Sequence, residues 1–296
     1  MIPRLHLVDG TFELFRAHYS KRPGHTAPSG QNAKATVGVV GSLLALLADP
    51  REAVTHLGVA FDNPVRSFRN DLFPGYKTGD GVDPELLAQF DPVEEAVRAL
   101  GVVVWSMDQW EADDAMATAA ARWGDRFEQV RILTPDKDLG QCLRGRAVVQ
   151  VDRVREREID VAALMEQRGV EPASIPDLLA LVGDSADGIP GLPGIGDKTA
   201  AALLHRYKTL EAIPADESTW DVAVRGAAKV AATLRSHRED ALLYKKLATL
   251  VFDVPLPQKD ADELRFGGVP RARYEAWCES MGVNTLRTRP TRWAEA

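Results

Sequence analysis

Residues 5–9 read LHLVD, a short β-type run closed by one acid, Asp9. The same pattern recurs along the chain. Thr55 to Phe61 predicts a second strand ending at Asp62, Val102 to Trp105 a third, Val130 to Thr134 a fourth with Asp136 just beyond it, and Val148 to Val151 a fifth. Between these runs the apolar spacing turns helical, over 33–48, over 84–100 (Leu86, Leu87, Phe90, Val93, Val97, Leu100) and over 111–123. Strands alternating with helices need crossover connections, which gives an α/β fold: a mostly parallel sheet with helices on both faces. Ligands of such sheets sit outside the carboxyl ends of the strands. Asp9, Asp62 and Asp136 therefore share one rim.

After about residue 170 strand-like runs become rare and short helices dominate, so a boundary is placed near residue 172. Residues 183–198, GDSADGIPGLPGIGDK, form a Gly/Pro-punctuated stretch between helical segments. From Arg271 on, the chain is Arg-rich with three Trp or Tyr residues, and reads as a docking tail or a frayed end.

The composition fits a soluble globular chain. Of 296 residues, 45% are hydrophobic and 27% charged, which excludes wholesale disorder, collagen and coiled coil. The net charge of −7 argues against a surface coated in cations for nucleic acid or anionic membrane. Cys142 and Cys278 make neither a disulfide framework nor a thiolate cluster, as expected in a reducing cytoplasm. The start, MIPRLHLVDG, lacks a signal peptide's apolar stretch, and the charge-free run from Ala35 to Ala48 is too short to span a membrane.

The acids explain the charge. Asp9 and Asp62 close strands, Glu111, Asp113 and Asp114 open a helix, Asp136 and Asp138 follow a strand, and Asp184 and Asp187 lie in GDSADG. Singly, each reads as a helix cap or a turn residue. Together on one rim they would repel unless hard divalent cations sat among them. Oxygen ligands without His or Cys point to Mg²⁺ or Mn²⁺ rather than Zn²⁺, and a pair of such ions is suited to phosphodiester hydrolysis.

Two further stretches carry binding chemistry. GLPGIGDKTA, Gly191 to Ala200, is a poor nucleotide-binding loop but fits a helix–hairpin–helix whose glycines let backbone N–H groups approach a phosphate. RSFRNDLFPGYKTGD, Arg66 to Asp80, mixes cations and rings as a single-strand contact does, or is an ordinary surface loop.

In order, LVDG (7–10), FDNPVRSFR (61–69), YKTG (76–79), EADD (111–114), TPDKDL (134–139) and GDSADGIPGLPGIGDKTA (183–200) resemble the 5′-nuclease, or flap endonuclease, superfamily. They are most similar to the 5′→3′ exonuclease domain of bacterial DNA polymerase I. The resemblance implies a PIN-like catalytic domain over 1–172 with a helical arch around 70–95, a helix-hairpin-helix (helix-three-turn-helix) region over 173–270, and a basic tail over 271–296. It implies one metal site at Asp9, Asp62, Glu111, Asp113 and Asp114, and a second at Asp136, Asp138, Asp184 and Asp187. The catalytic set would be Asp9, Asp62, Asp114 and Lys77, with Lys77 offsetting charge on the scissile phosphate. Tyr76 would stack near the terminal base, and Arg66 and Arg69 would contact phosphates. Gly194, Ile195 and Gly196, with Lys198 and Thr199, would hold duplex backbone, where the family keeps a K⁺ ion.

The implied activity is a two-metal 5′→3′ exonuclease or flap endonuclease of replication and repair, acting as a monomer. Its substrates would be DNA with a 5′ flap, nick or 5′ overhang, and RNA-primer junctions, with a separate polymerase and ligase completing the pathway. No polymerase region follows in the sequence, so a free-standing nuclease is expected. A non-catalytic DNA-junction binder and a PIN-type ribonuclease stay open as alternatives. One departure stands out: Asp80 follows YKTG where the family pattern reads Arg, which should weaken capture of the 5′ end and leaves Arg66 as the compensating cation.

Overall fold

A computed structural model describes residues 3–295. The chain begins β1 (Arg4–Asp9), α1 (Gly10–His18), α2 (Lys34–Ala48), β2 (His56–Asp62), α3 (Arg69–Leu72), α4 (Pro84–Leu87), α5 (Phe90–Ala99), β3 (Val103–Met107), α6 (Ala112–Trp123) and β4 (Gln129–Leu133). It continues β5 (Val148–Asp152), β6 (Arg157–Ile159), α7 (Val161–Arg168), α8 (Ile175–Val182), α9 (Asp197–Tyr207), α10 (Ala227–Ser236), α11 (Arg238–Ala248), α12 (Arg271–Met281) and α13 (Asn284–Arg287). These elements form two compact units. None of the described helices is long and apolar enough to cross a membrane.

The first unit comprises Met1–Arg66, Gly79–Thr134 and Phe252–Ala296. Its strands lie in the order β3-β2-β1-β4, all parallel, with Asp9 opposite Ala60 and Val8 opposite Leu133. The strands step outward from β1 to β3, then the chain returns to β4. Right-handed crossovers therefore place α6 on the face opposite α1, α2 and α5. The order reverses between β1 and β4, so the crevice at their carboxyl ends is the natural ligand position.

The helix expected over 84–100 is two helices. Gln89, fully buried at the break, turns its side chain inward, and its Oε1 accepts from the N–H groups of Ala35 (3.0 Å) and Thr36 (3.1 Å). It thus caps α2, whose own N-cap residue, Ala33, supplies no side-chain bond. The stretch from Arg271 is not frayed. Tyr274 and Cys278 of α12 are fully buried, the Tyr274 hydroxyl donates to the Leu286 carbonyl (2.9 Å), and Arg271 lies over the Trp293 ring at 4.0 Å. Its aromatic residues are internal contacts and its arginines face outward.

The second unit comprises Ser67–Thr78 and Pro135–Val251. β5 and β6 pair antiparallel, Asp152 opposite Arg157. β6 escapes a hydrophobic reading because Arg157 and Glu158 are exposed and only Ile159 points inward. The core is helical: Leu178, Leu179 and Leu181 of α8 pack with Leu203 and Leu204 of α9 and Leu247 of α11.

Candidate active site

In the first unit the acids sit where strands end and helices begin. Asp9 closes β1; its Oδ1 accepts from Phe12 N–H (2.8 Å) to cap α1, and its Oδ2 accepts from the Thr134 hydroxyl (2.9 Å) just past β4. That bond spans the point where the strand order reverses. Asp62 closes β2; its N–H donates to the Thr11 hydroxyl (2.8 Å), and its Oδ1 accepts from Ala112 N–H (2.7 Å) at the start of α6. Glu111 and Asp114 form a capping box, with Glu111 N–H donating to Asp114 Oδ2 at 3.1 Å. Asp114 is fully buried, while Asp113, beside it, is half-buried. Helix N-termini and a strand-end hydroxyl thus supply the donors that fix these carboxylates in place.

The second unit draws three acids much closer. Carboxylate oxygens of Asp138, Asp184 and Asp187 all lie within 4.8 Å of one another, and all three residues are buried. No other trio of His, Cys, Asp or Glu among the described residues meets that spacing. The backbone explains how. Asp136 Oδ1 accepts from Asp138 N–H (3.0 Å), fixing a tight turn, and its carbonyl accepts from the Gln150 side chain of β5. Asp184 and Ile189 exchange both backbone bonds (2.7 and 2.8 Å), closing the loop that carries Asp187. The segment before Lys77 docks on that loop, with Lys77 N–H donating to the Asp187 carbonyl at 2.9 Å. Gly188, at φ +74°, lies so close to the Gly75 carbonyl that a β-carbon there would overlap the oxygen.

Charge at this trio is incompletely balanced. Lys77 Nζ is 2.9 Å from Asp187 Oδ1, and Lys137 Nζ is 2.9 Å from Asp184 Oδ2. Asp138 Oδ1 is buried without a hydrogen-bond partner. Burial first, and then the neighbouring carboxylates Asp136, Asp187 and Asp184, push Asp138 well above the ordinary carboxylate range, with Lys77 opposing. Asp136 is raised as well, chiefly by burial. A buried carboxylate oxygen with no donor, facing two more acids, fits a hard divalent cation.

Two of the expected contact residues lie elsewhere. Arg69 was expected on phosphates; it is only 1% exposed, and its guanidinium donates to the carbonyls of Leu247 (2.8 Å) and Thr249 (3.0 Å) at the end of α11. Tyr76 was expected to stack on a base, but its ring lies in the apolar core of the second unit. An aromatic and a cation in a loop-like stretch look the same whether they face solvent or fill a core, so sequence alone did not separate the cases. Arg66 and Asp80 are exposed.

Before α9, Gly194 adopts φ +78° and Ile195 is buried, while Gly196 forms an N-cap with no side-chain bond. A β-carbon on Gly194 or Gly196 would meet nothing within 4 Å. Their outer side is open to another molecule, beside exposed Lys198 and half-buried Thr199. Sequence reasoning missed Lys137, Thr134 and Gln150. The first was visible as the cation between two acids in DKD, and the last as the polar residue inside the apolar strand VVQVD.

A family model for the 5′-3′ exonuclease N-terminal resolvase-like domain matches residues 4–169, and one for the 5′-3′ exonuclease C-terminal SAM fold matches residues 170–271. The chain belongs to the 5′-3′ exonuclease family. Within it, the chain is 34% identical over 97% of its length to DNA polymerase I of Bacillus caldotenax, and 35% identical over 96% to DNA polymerase I of Rhizobium leguminosarum. This chain covers 32% and 28% of those relatives. Among solved structures the family fold is matched by the bacteriophage T5 D15 protein, crystallised with metal ions (TM-score 0.65, 20% identity, 83% of this chain and 89% of that one). It is matched too by the catalytic core of Rad2 in complex with DNA substrate (TM-score 0.60, 13% identity, 95% and 88%).

Proposed function

We propose that this chain is a metal-dependent, structure-selective 5′-nuclease that hydrolyses DNA phosphodiesters near 5′ ends, nicks and flap junctions in replication and repair. The observation that carries this is the buried trio Asp138, Asp184 and Asp187, with its donor-free Asp138 oxygen, in a chain of the 5′-3′ exonuclease family. The relatives' names and the DNA in the Rad2 structure support the substrate class.

Two Mg²⁺ or Mn²⁺ ions are assigned, one to Asp136, Asp138, Asp184 and Asp187, and one to Asp9, Asp62, Glu111, Asp113 and Asp114. Bound there, divalent ions supply Lewis-acid charge at the phosphate and acidify water. The protein's own groups do the rest. Lys77, held by Asp187, offers a cation for charge developing on phosphate oxygens. The open turn at Gly194–Gly196, with Lys198 and Thr199, grips duplex backbone without reading bases, and a K⁺ ion fits that role. Residues around 70–95 serve as the arch and 173–270 as the duplex-binding region. The protein works as a monomer in the cytoplasm, beside a separate polymerase and ligase, and RNA-primer junctions fall within its range.

The test is cleavage-site mapping on matched flap, nick, gap and single-stranded DNA, with an RNA flap alongside. Metal-dependent cuts clustered at the junction support the proposal. Binding to flaps without cleavage in any divalent metal, or cleavage confined to RNA, refutes it.

A further inference from the structure

Each oxygen of the Asp184 carboxylate already has a partner. Oδ1 accepts from Ala186 N–H (3.0 Å) inside its own loop, and Oδ2 is held by Lys137 Nζ at 2.9 Å. Asp184 is 3% exposed, whereas the Lys137 side chain is 30% exposed and lines a cleft of about 570 Å³ together with Arg168, Ser185 and Gly188. The ammonium therefore has room to leave and the carboxylate does not. A divalent ion recruited by the donor-free Asp138 oxygen would meet that ammonium on the Asp184 carboxylate. Two cations crowded on one carboxylate repel strongly in a buried site.

We propose that Lys137 is the resident counter-ion of the second carboxylate group, and that metal and lysine exchange at Asp184. In the metal-free protein the ammonium offsets the charge of Asp184. As the divalent ion enters, Lys137 swings into the cleft, and its cation stays on the cleft wall. The exchange sets a ceiling on metal affinity, because each binding event must break the Lys137–Asp184 pair. Lys137 is thus a positioning residue that acts through Asp184. This inference rests on the metal site assigned above.

The experiment is calorimetric titration of Mn²⁺ into the full, metal-stripped chain without DNA. Removing the competing charge in Lys137→Met and Lys137→Gln should tighten Mn²⁺ binding about tenfold. Lys137→Arg, which keeps the cation, should stay within about twofold of wild type. In EDTA the Met and Gln variants should unfold at lower temperature than wild type, and Mn²⁺ should raise their Tm by more, because tighter binding to the folded state adds more stability. If both neutral variants bind Mn²⁺ no more tightly than wild type, the exchange is overturned while the metal site stands. If wild type takes up no Mn²⁺ at all, the metal site falls, and the exchange with it.

Discussion

Lys77 is tied to Asp187 twice: its ammonium lies 2.9 Å from Asp187 Oδ1, and its backbone N–H donates to the Asp187 carbonyl at 2.9 Å. The backbone bond fixes where the lysine begins and the ion pair fixes where it ends. The cation is therefore placed by the same loop that places the carboxylate.

Gly188 makes that docking possible. In Gly188→Ala the new methyl would overlap the Gly75 carbonyl at a φ of +74°, so the segment 75–77 must lift from the loop. The expected cost is about 1–3 kcal/mol of stability. Displacing Lys77 should lower turnover on the order of 10–100-fold. Urea unfolding and flap cleavage measure the two effects, and both should appear.

Lys77→Met keeps the stem and deletes the charge. Turnover should fall on the order of 100–1000-fold if the ammonium stabilises developing charge. Flap affinity, measured with cleavage suppressed by EDTA, should change far less. A fall in affinity that accounts for the whole loss would make Lys77 a simple phosphate anchor.

Arg69 tests the corrected assignment. Its guanidinium is buried and donates to two carbonyls near the end of α11. Arg69→Ala should destabilise the fold by about 3 kcal/mol, since both acceptors lose a charged donor and a cavity opens. A phosphate-contacting arginine would instead weaken DNA binding and leave the urea midpoint unchanged.

The sequence showed the frame because the frame is periodic. Apolar runs ending at Asp9 and Asp62 mark β1 and β2 and put both acids at carboxyl ends. It could not show Gln89 capping a helix more than fifty residues earlier, because a cap supplied from a distance leaves no local pattern. Nor could it show that Tyr76 and Arg69 point inward, since burial depends on what packs over a loop. Asp138, Asp184 and Asp187 were legible as candidate acids. Their close spacing as a trio was not, because it depends on turns that close at Ile189 and Gln150.

Acid should weaken the first unit through the trio of His6, Glu52 and Arg131, in which His6 is buried and the other two are half-buried. His6 Nε2 and Arg131 Nε lie 3.0 and 2.7 Å from Glu52 Oε2. The hydrogen bond with His6, and then the Arg131 charge, hold Glu52 at about 2 against an ordinary 4.5. Burial pushes His6 below its ordinary 6.5. Both folded values lie below the unfolded ones, so the folded state binds fewer protons and loses stability as pH falls. The His6 contribution is complete above 6.5 and fades below it; the Glu52 contribution is complete above 4.5 and fades toward 2. Urea midpoints should therefore decline steadily through the acid range. Glu52→Gln should cost about 1–3 kcal/mol at neutral pH and flatten the decline below 4.5.

The most direct test of the metal-centred account is single-turnover cleavage of a 5′-flap DNA by wild type and Asp138→Asn, with Mg²⁺ titrated from EDTA-stripped protein. The account predicts no cleavage in EDTA, restoration by Mg²⁺ in wild type, and a rate at least about 100-fold lower in the variant at every Mg²⁺ concentration. Cleavage by Asp138→Asn at the wild-type rate and with the same Mg²⁺ dependence would contradict it.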